Sequence, residues 1–392
     1  MENLRLGNAY LDPGSLDLEI VERKGLGHPD TLADALAELI SIDYSKYCQE
    51  KFQAVPHHNI DKLYIGAGLF KSGYGFCNKI IPVTININGR MSASFGDEKI
   101  PLESLQQESI AGYLRSVLPN LQETDFSINH NATQHSRLPH WFAPRDISDL
   151  PEYARRSAGD NAVCVFSWPL TTTEELVYAV ESYFWKKDGQ FPKPKFGFLG
   201  QDIKVMATRQ GNHINIGVRV PVITTQIKDN EEYLGVIGLV TQELNQFVPS
   251  LLPSAYSFDL EVNAHRPYML GVGSCIECGE EGLVGRGNSN SGLISIFRPH
   301  SVEAPSGKNP VYHTGRVLNY LTMKLSKAIY DQLGVKNTVL AVTKNGGSLV
   351  PPYLLSIETD QTIDEITVKK VVQESFIEVD YLNELLNQRQ IA

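Results

Sequence analysis

Apolar and polar positions change period several times along the chain. Behind Pro29, Leu32, Leu36, Leu39 and Ile40 recur at helical spacing. Proline suits a first helical position because its missing N–H is not needed there. Leu63 to Leu69 predicts a buried strand. Ile81 to Ile87 alternates as a strand does, with Asn88-Gly89 after it as a hairpin turn signal. A helix is predicted near Leu102–Leu118. The rest of Gly96–Pro151 is polar, and His130–Arg145 reads as a mobile loop. Ala162–Trp168 predicts a strand, and Thr172-x-x-Glu175 a capping box opening a helix through Lys187. Ile203, Val205, Ala207 and then Ile214, Ile216, Val218 alternate on either side of Gly211-Asn212, which predicts a long antiparallel hairpin. A helix over Tyr233–Phe247, a strand at Leu260 and Val262, and an amphipathic helix over Arg316–Leu333 closed by Gly334 follow. Strands at Val339–Val342 and Tyr353–Ile357 precede a last helix within Ile363–Leu386. There is no regular strand–helix–strand rhythm, so the pattern predicts an α+β fold rather than a doubly wound parallel sheet.

Bulk properties narrow the partners. A chain of 392 residues calls for two or three domains. A net charge of −10 argues against double-stranded nucleic acid and anionic membrane, which both need a basic face. It leaves room for a small anion held by a few local cations. No apolar run reaches the roughly 18–20 residues of a membrane span. The start, Met1-Glu2-Asn3-Leu4-Arg5, lacks a signal-peptide pattern. Five sparse cysteines suggest a reducing compartment, and the cytoplasm is the expected location.

Phosphate chemistry would have to use an unusual scaffold, because neither a P-loop nor a dinucleotide-binding glycine pattern is present. Gly25-Leu26-Gly27-His28-Pro29-Asp30 offers one. Its glycines let the backbone turn into a helix whose N-terminus favours an anion. His28 stands where it can donate to a developing oxyanion. Asp30 and Asp34, four apart, share a helix face on which a hard cation could sit with phosphate oxygens. Asp202 and Lys204, at i and i+2, either pair on a surface or grip two ends of a ligand. Glu280, Glu281 and Arg286 lie in a glycine-rich loop that suits phosphate and metal, or is simply solvated. Arg298, His300 and Lys308 add cations nearby. His57-His58 reads as structural or substrate-orienting rather than metal-binding, and Cys275-x-x-Cys278 as two ordinary thiols.

In order, these segments resemble the archaeal-type S-adenosylmethionine synthetases. The matching pieces are Glu22 through Asp30, His57 through Lys62, Asp202 through Met206, Val284 through Asn288, and Glu303-Ala304 with Gly307 through Pro310. The resemblance implies three similar α/β units about a pseudo-threefold, spanning about 1–150, 151–265 and 266–392 and interleaved. It implies a homodimer with active sites in the interface, possibly paired into a tetramer. The implied reaction joins ATP and methionine, or a similar thioether, with Mg²⁺ required and K⁺ assisting. By resemblance His28 stabilises the departing oxygen, while Lys204, Arg286 and Lys308 cradle the triphosphate. Asp30 holds Mg²⁺, with Glu280 beside it at the cation or substrate. Asp202 contacts the nucleoside or the amino-acid ammonium, and Asp160 lines the nucleoside site. Departures from the family pattern fall at Glu280-Glu281, Ser289, His300, Arg316, Gly159 through Ala162, and Gly73-Tyr74-Gly75. They leave open a different acceptor, a triphosphatase, or a weakly active regulatory paralogue.

Overall fold

The computed structural model describes residues 3–186 and 191–387. Helix α1, Pro29–Phe52, is buried almost all round. Leu32, Leu36, Leu39 and Ile40 face a core, while Ala33, Ala37, Ser41 and Ser45 let other elements come close. The helix ends where Gln53 turns left-handed. Helix α2 (Leu102–Val117) packs Ile110, Tyr113 and Leu114 into that same core. Helices α3 (Thr172–Ser182) and α4 (Asn230–Phe247) share a second core through Leu176, Val180, Val240 and Leu244. Helices α5 (Thr314–Leu333), α6 (Glu365–Val372) and α7 (Tyr381–Asn387) share a third.

Each core lies on a mixed sheet, and the three sheets follow one pattern. In the first, Phe126–His130 runs parallel to Val83–Ile87; Tyr64–Gly66 and then Gly282–Leu283 add antiparallel. In the second, Ser257–Val262 runs parallel to His213–Arg219; Lys204–Gln210, Leu18–Lys24 and Ile294–Ser295 follow antiparallel. In the third, Leu4–Gly7 runs parallel to Leu354–Thr359; Asn337–Val342 and Val163–Trp168 follow antiparallel. The parallel partners in the first two sheets return through α2 and α4, the crossover that parallel pairing requires.

The sheets also exchange strands. Leu18–Lys24 precedes α1 in the chain but lies in the second sheet. Val163–Trp168 precedes α3 but lies in the third. Gly282–Leu283 precedes α5 but lies in the first. The exchange carries the Leu18–Lys24 strand out of the second sheet and directly into α1, so the entry to α1 sits beside the start of the Lys204–Gln210 strand.

Several local expectations are corrected. Asn88-Gly89 does not fold its strand back into a hairpin. Gly89, at φ 131°, lies against the Asn59 carbonyl, and Arg90–Met91 pairs with His58–Asn59. The α3 cap is Thr171, one residue early: its hydroxyl accepts the Glu174 N–H at 3.1 Å, and Glu174 accepts the Thr171 N–H at 2.8 Å. The helix stops at Ser182, and Lys187 lies outside the described residues. The final helix is broken by a wider turn at Gln373–Ile377, which lets Phe376, Val379 and Tyr381 all enter the third core. The predicted Leu63–Leu69 strand divides into Tyr64–Gly66 and Leu69–Gly73, which join different partners.

Candidate active site

His28 caps α1, its Nδ1 accepting the Asp30 backbone N–H at 3.2 Å. The loop that brings it there is fixed on both sides. Gly25 donates to the Ile203 carbonyl at 2.6 Å and Gly27 to the Gln201 carbonyl at 2.9 Å. A side chain at Gly27 would put Cβ 2.5 Å from the Gln201 carbonyl carbon, so only glycine allows this approach. Burial pushes the His28 ring down to about 4, helped by the ammonium groups of Lys24 and Lys204 and opposed by Asp30. The ring is therefore neutral near pH 7. A nitrogen that accepts a backbone N–H carries no hydrogen, so the proton sits on Nε2, which is a donor.

Lys24 and Lys204 stand directly opposite each other on neighbouring antiparallel strands. Like charges in such a pair repel. Each ammonium is balanced by a carboxylate: Lys24 by Asp30 at 2.9 Å and Lys204 by Glu22 at 3.1 Å. The other Asp30 oxygen accepts the Leu283 N–H at 3.1 Å. One turn further along α1, Asp34 spends both oxygens on the Gly285 and Gly287 N–H groups, at 2.8 and 3.1 Å. Burial still pushes the Asp34 carboxyl up to about 6. Asn288 clamps Lys24 through its own amide, accepting at 2.9 Å and donating at 2.8 Å. The glycine-rich loop is thus wrapped round the start of α1. It leaves Arg286 exposed at a cavity of about 740 Å³ lined also by Asp34, Phe166, Tyr178 and Met323.

Asp202 is not one half of a surface pair with Lys204. The strand begins only at Lys204, and Asp202 is buried, accepting the Cys275 N–H at 2.8 Å. Burial is the main cause that lifts its carboxyl to about 7. Glu280 is exposed close by and adds to that rise. Glu281 turns away to accept the Tyr64 hydroxyl at 2.7 Å.

Two expected residues take their partners elsewhere in the chain. Lys308 is buried with Glu303 at 2.9 Å and Asp61 at 4.0 Å. Asp160 is exposed beside the third sheet, where Thr343 donates to its carbonyl at 3.0 Å. Arg298, half-buried at the edge of the cavity beside Arg286, is paired with the buried Glu174 at 2.6 Å. Arg316 forms a buried ion pair with Glu38. Both histidines of the pair are buried. His58 meets Ser41 at 2.7 Å; His57 lies between Glu152 and the Trp141 carbonyl, its ring stacked 3.8 Å from Trp141. The five cysteines are free thiols, and Cys275 meets the Tyr268 hydroxyl at 3.1 Å. Lys24 has no sequence signal as a site residue, because its register opposite Lys204 exists only once the strands pair.

Among the described residues, no group of three or more His, Cys, Asp or Glu side chains could hold a metal by itself. Among them, too, no helix is long and apolar enough to cross a membrane. The donors that are present suit a cation completed by its ligand: Asp30 offers hard carboxylate oxygen, and Mg²⁺ takes one or two such groups plus phosphate oxygens.

Residues 11–389 match the family model described as S-adenosylmethionine synthetase (AdoMet synthetase). An uncharacterized protein of Streptococcus pyogenes serotype M3 is 37% identical over 373 residues, which cover 94% of this chain and 92% of the relative. The S-adenosylmethionine synthase of Thermoplasma volcanium is 32% identical over 355 residues, covering 87% of this chain and 85% of its own. That of Hyperthermus butylicus is 30% identical over 358 residues, covering 87% and 85%.

Proposed function

The chain belongs to the S-adenosylmethionine synthetase family, and from that premise we propose that it forms S-adenosylmethionine from ATP and methionine. The thioether sulfur attacks C5′ of ATP, the C5′–O bond breaks, and the triphosphate leaves with the bonding electrons. Water then cleaves the triphosphate to pyrophosphate and phosphate. The observation that carries the reading is the neutral His28 donor set beside the opposed Lys24 and Lys204. A departing triphosphate gains negative charge at its bridging oxygen. A preorganised N–H donor and fixed ammonium groups are the groups that stabilise it.

His28 donates from Nε2 to the oxygen released from C5′. Lys204 and Arg286 hold phosphate oxygens, Arg286 by its planar fork. Bound Mg²⁺ would neutralise phosphate charge, with Asp30 as its protein ligand. Glu280 stands on the same loop to meet that cation or the K⁺ that the family uses. Asp202, buried with its carboxyl pushed up to about 7, serves the polar end of the nucleoside or amino acid. The cavity of about 740 Å³ beside Arg286 gives ligand room next to the glycine-rich loop.

Lys308, whose partner Glu303 lines the cavity beside Arg286, belongs to the triphosphate cradle of the same proposal. The exposed position of Asp160 beside the third sheet supports a homodimer whose sites draw on both subunits. So do the exposed Leu69, Phe76, Ile80 and Ile81 of the Leu69–Gly73/Phe76–Ile81 hairpin. The shared strand pattern and the cyclic strand exchange support three units about a pseudo-threefold.

The test is mass spectrometry of products from ATP, Mg²⁺, K⁺ and a panel of thioether amino acids. A methionine-dependent product of the mass of S-adenosylmethionine is expected, and it should be lost in His28→Ala and Lys204→Ala. Phosphate release without any adenosylated thioether would instead make the protein a triphosphatase.

A further inference from the structure

We propose that Lys24 is a resident counter-ion of Asp30 that gives way to Mg²⁺ and then becomes a triphosphate ligand; this rests on the function proposed above. The Lys24 ammonium donates to Asp30 Oδ2 at 2.9 Å and to the Arg286 carbonyl at 2.8 Å. Asp30 Oδ1 is already fixed by the Leu283 N–H. An arriving cation therefore meets the carboxylate on the oxygen that Lys24 holds. Two cations on one carboxylate oxygen repel at close range, so the entry of one displaces the other.

The displaced ammonium has few places to go. Its side chain is only 14% exposed. Asp34, the next carboxylate along, has both oxygens committed to backbone N–H groups of the glycine-rich loop. Lys204 faces Lys24 across the strand pair and repels it. What remains is the Arg286 carbonyl and whatever anion lies over the loop, and a phosphate oxygen satisfies an ammonium there. Paired with Asp30, the Lys24 ammonium has its charge offset; released from that carboxylate by a bound cation, it would lend that charge to phosphate oxygens.

The first experiment uses the wild-type protein. Lysines are acylated with an N-hydroxysuccinimide ester, and the modification rate of each is read by peptide mass spectrometry. Lys24 is expected to react slowly without ligand. With Mg²⁺ alone its rate rises about fivefold, the size of one partly exposed ion pair of about 1 kcal/mol. With Mg²⁺ and inorganic triphosphate it falls again, together with that of Lys204. A Lys24 rate indifferent to Mg²⁺, with Lys204 still protected by triphosphate, overturns the exchange while leaving the proposed function intact. If triphosphate protects neither lysine and no adenosylated product forms, the underlying function fails instead. The second experiment removes the charge. Lys24→Met should bind Mn²⁺, used as a paramagnetic stand-in for Mg²⁺, about tenfold more tightly in the nucleotide-free protein, and bind Mg²⁺–triphosphate more weakly. Lys24→Arg should recover triphosphate binding. A Lys24 that merely braces the loop would weaken both in Lys24→Met, and that result also overturns the proposal.

Discussion

Replacing Asp202 by Asn should make the protein more stable while reducing its turnover. The carboxyl is fully buried and its proton affinity rises from the ordinary 3.8 to about 7, chiefly through burial. That is a shift of about 3 units, worth about 4 kcal/mol at about 1.4 kcal/mol per unit. The sign follows from proton counting. Between about pH 4 and pH 7 the folded protein holds a proton that the unfolded chain has lost. This group's contribution is therefore most favourable below about pH 4, declines as pH rises to about 7, and is flat above that. At pH 8 the whole cost of a buried charge is present. Asn carries no charge, yet its amide oxygen can still accept the Cys275 N–H that Asp202 accepts at 2.8 Å. We expect Asp202→Asn to exceed wild type by about 2–4 kcal/mol at pH 8, with the gap closing towards pH 5. Urea midpoints at fixed protein concentration from pH 5 to pH 8 measure it. A variant less stable than wild type at pH 8, or one with the same pH dependence, would refute the reasoning.

Three further outcomes are expected. His28→Ala should lower turnover about 10²–10³-fold and cost about 1 kcal/mol through the lost helix cap. His28→Asn should restore the stability in thermal melts but not the product yield, since Asn is a good cap. Gly27→Ala should cost several kcal/mol and lower soluble expression, because its Cβ would lie 2.6 Å from the Asp202 nitrogen. Gly279→Ala, at φ 97° with open space around it, should cost only about 1 kcal/mol in the same denaturation assay. Truncating either partner of the buried Glu38–Arg316 pair should cost about 3–5 kcal/mol, and Glu38→Leu combined with Arg316→Met should recover most of it in urea midpoints.

Much of the fold was legible because its elements carry local signals. Pro29 fixed the start of α1, Gly334 its counterpart at the end of α5, and Gly211-Asn212 the central hairpin. Errors fell where tertiary contacts outrank local chemistry. Asn88-Gly89 carries a strong turn signal, yet the partners of its strand come from Tyr64–Gly66 and Phe126–His130 instead. The site was legible in the same uneven way. His28 and Asp30 declare themselves by position at a helix start. Lys24 does not, since its meaning comes from register with Lys204, a relation between residues 180 positions apart. Arg298 looked like a ligand cation because a sequence shows charge but not the buried carboxylate that answers it. It is paired with Glu174, as Arg316 is with Glu38.

The exchange of strands between the sheets bears on how such a chain can be made. As it leaves the ribosome, the first sheet lacks its fourth strand until Gly282–Leu283 emerges. The third sheet stays open until Leu354–Thr359 arrives to take up Leu4–Gly7, which was made long before it. No nascent length can finish the first or third sheet early, and cutting the gene between sheets would leave fragments with bare edges open to aggregation. Closing such distant pairs is slow. Production of this enzyme in a cell should therefore depend on chaperones that shield unfinished sheets, and a deletion of only the first seven residues should be felt at the opposite end of the chain.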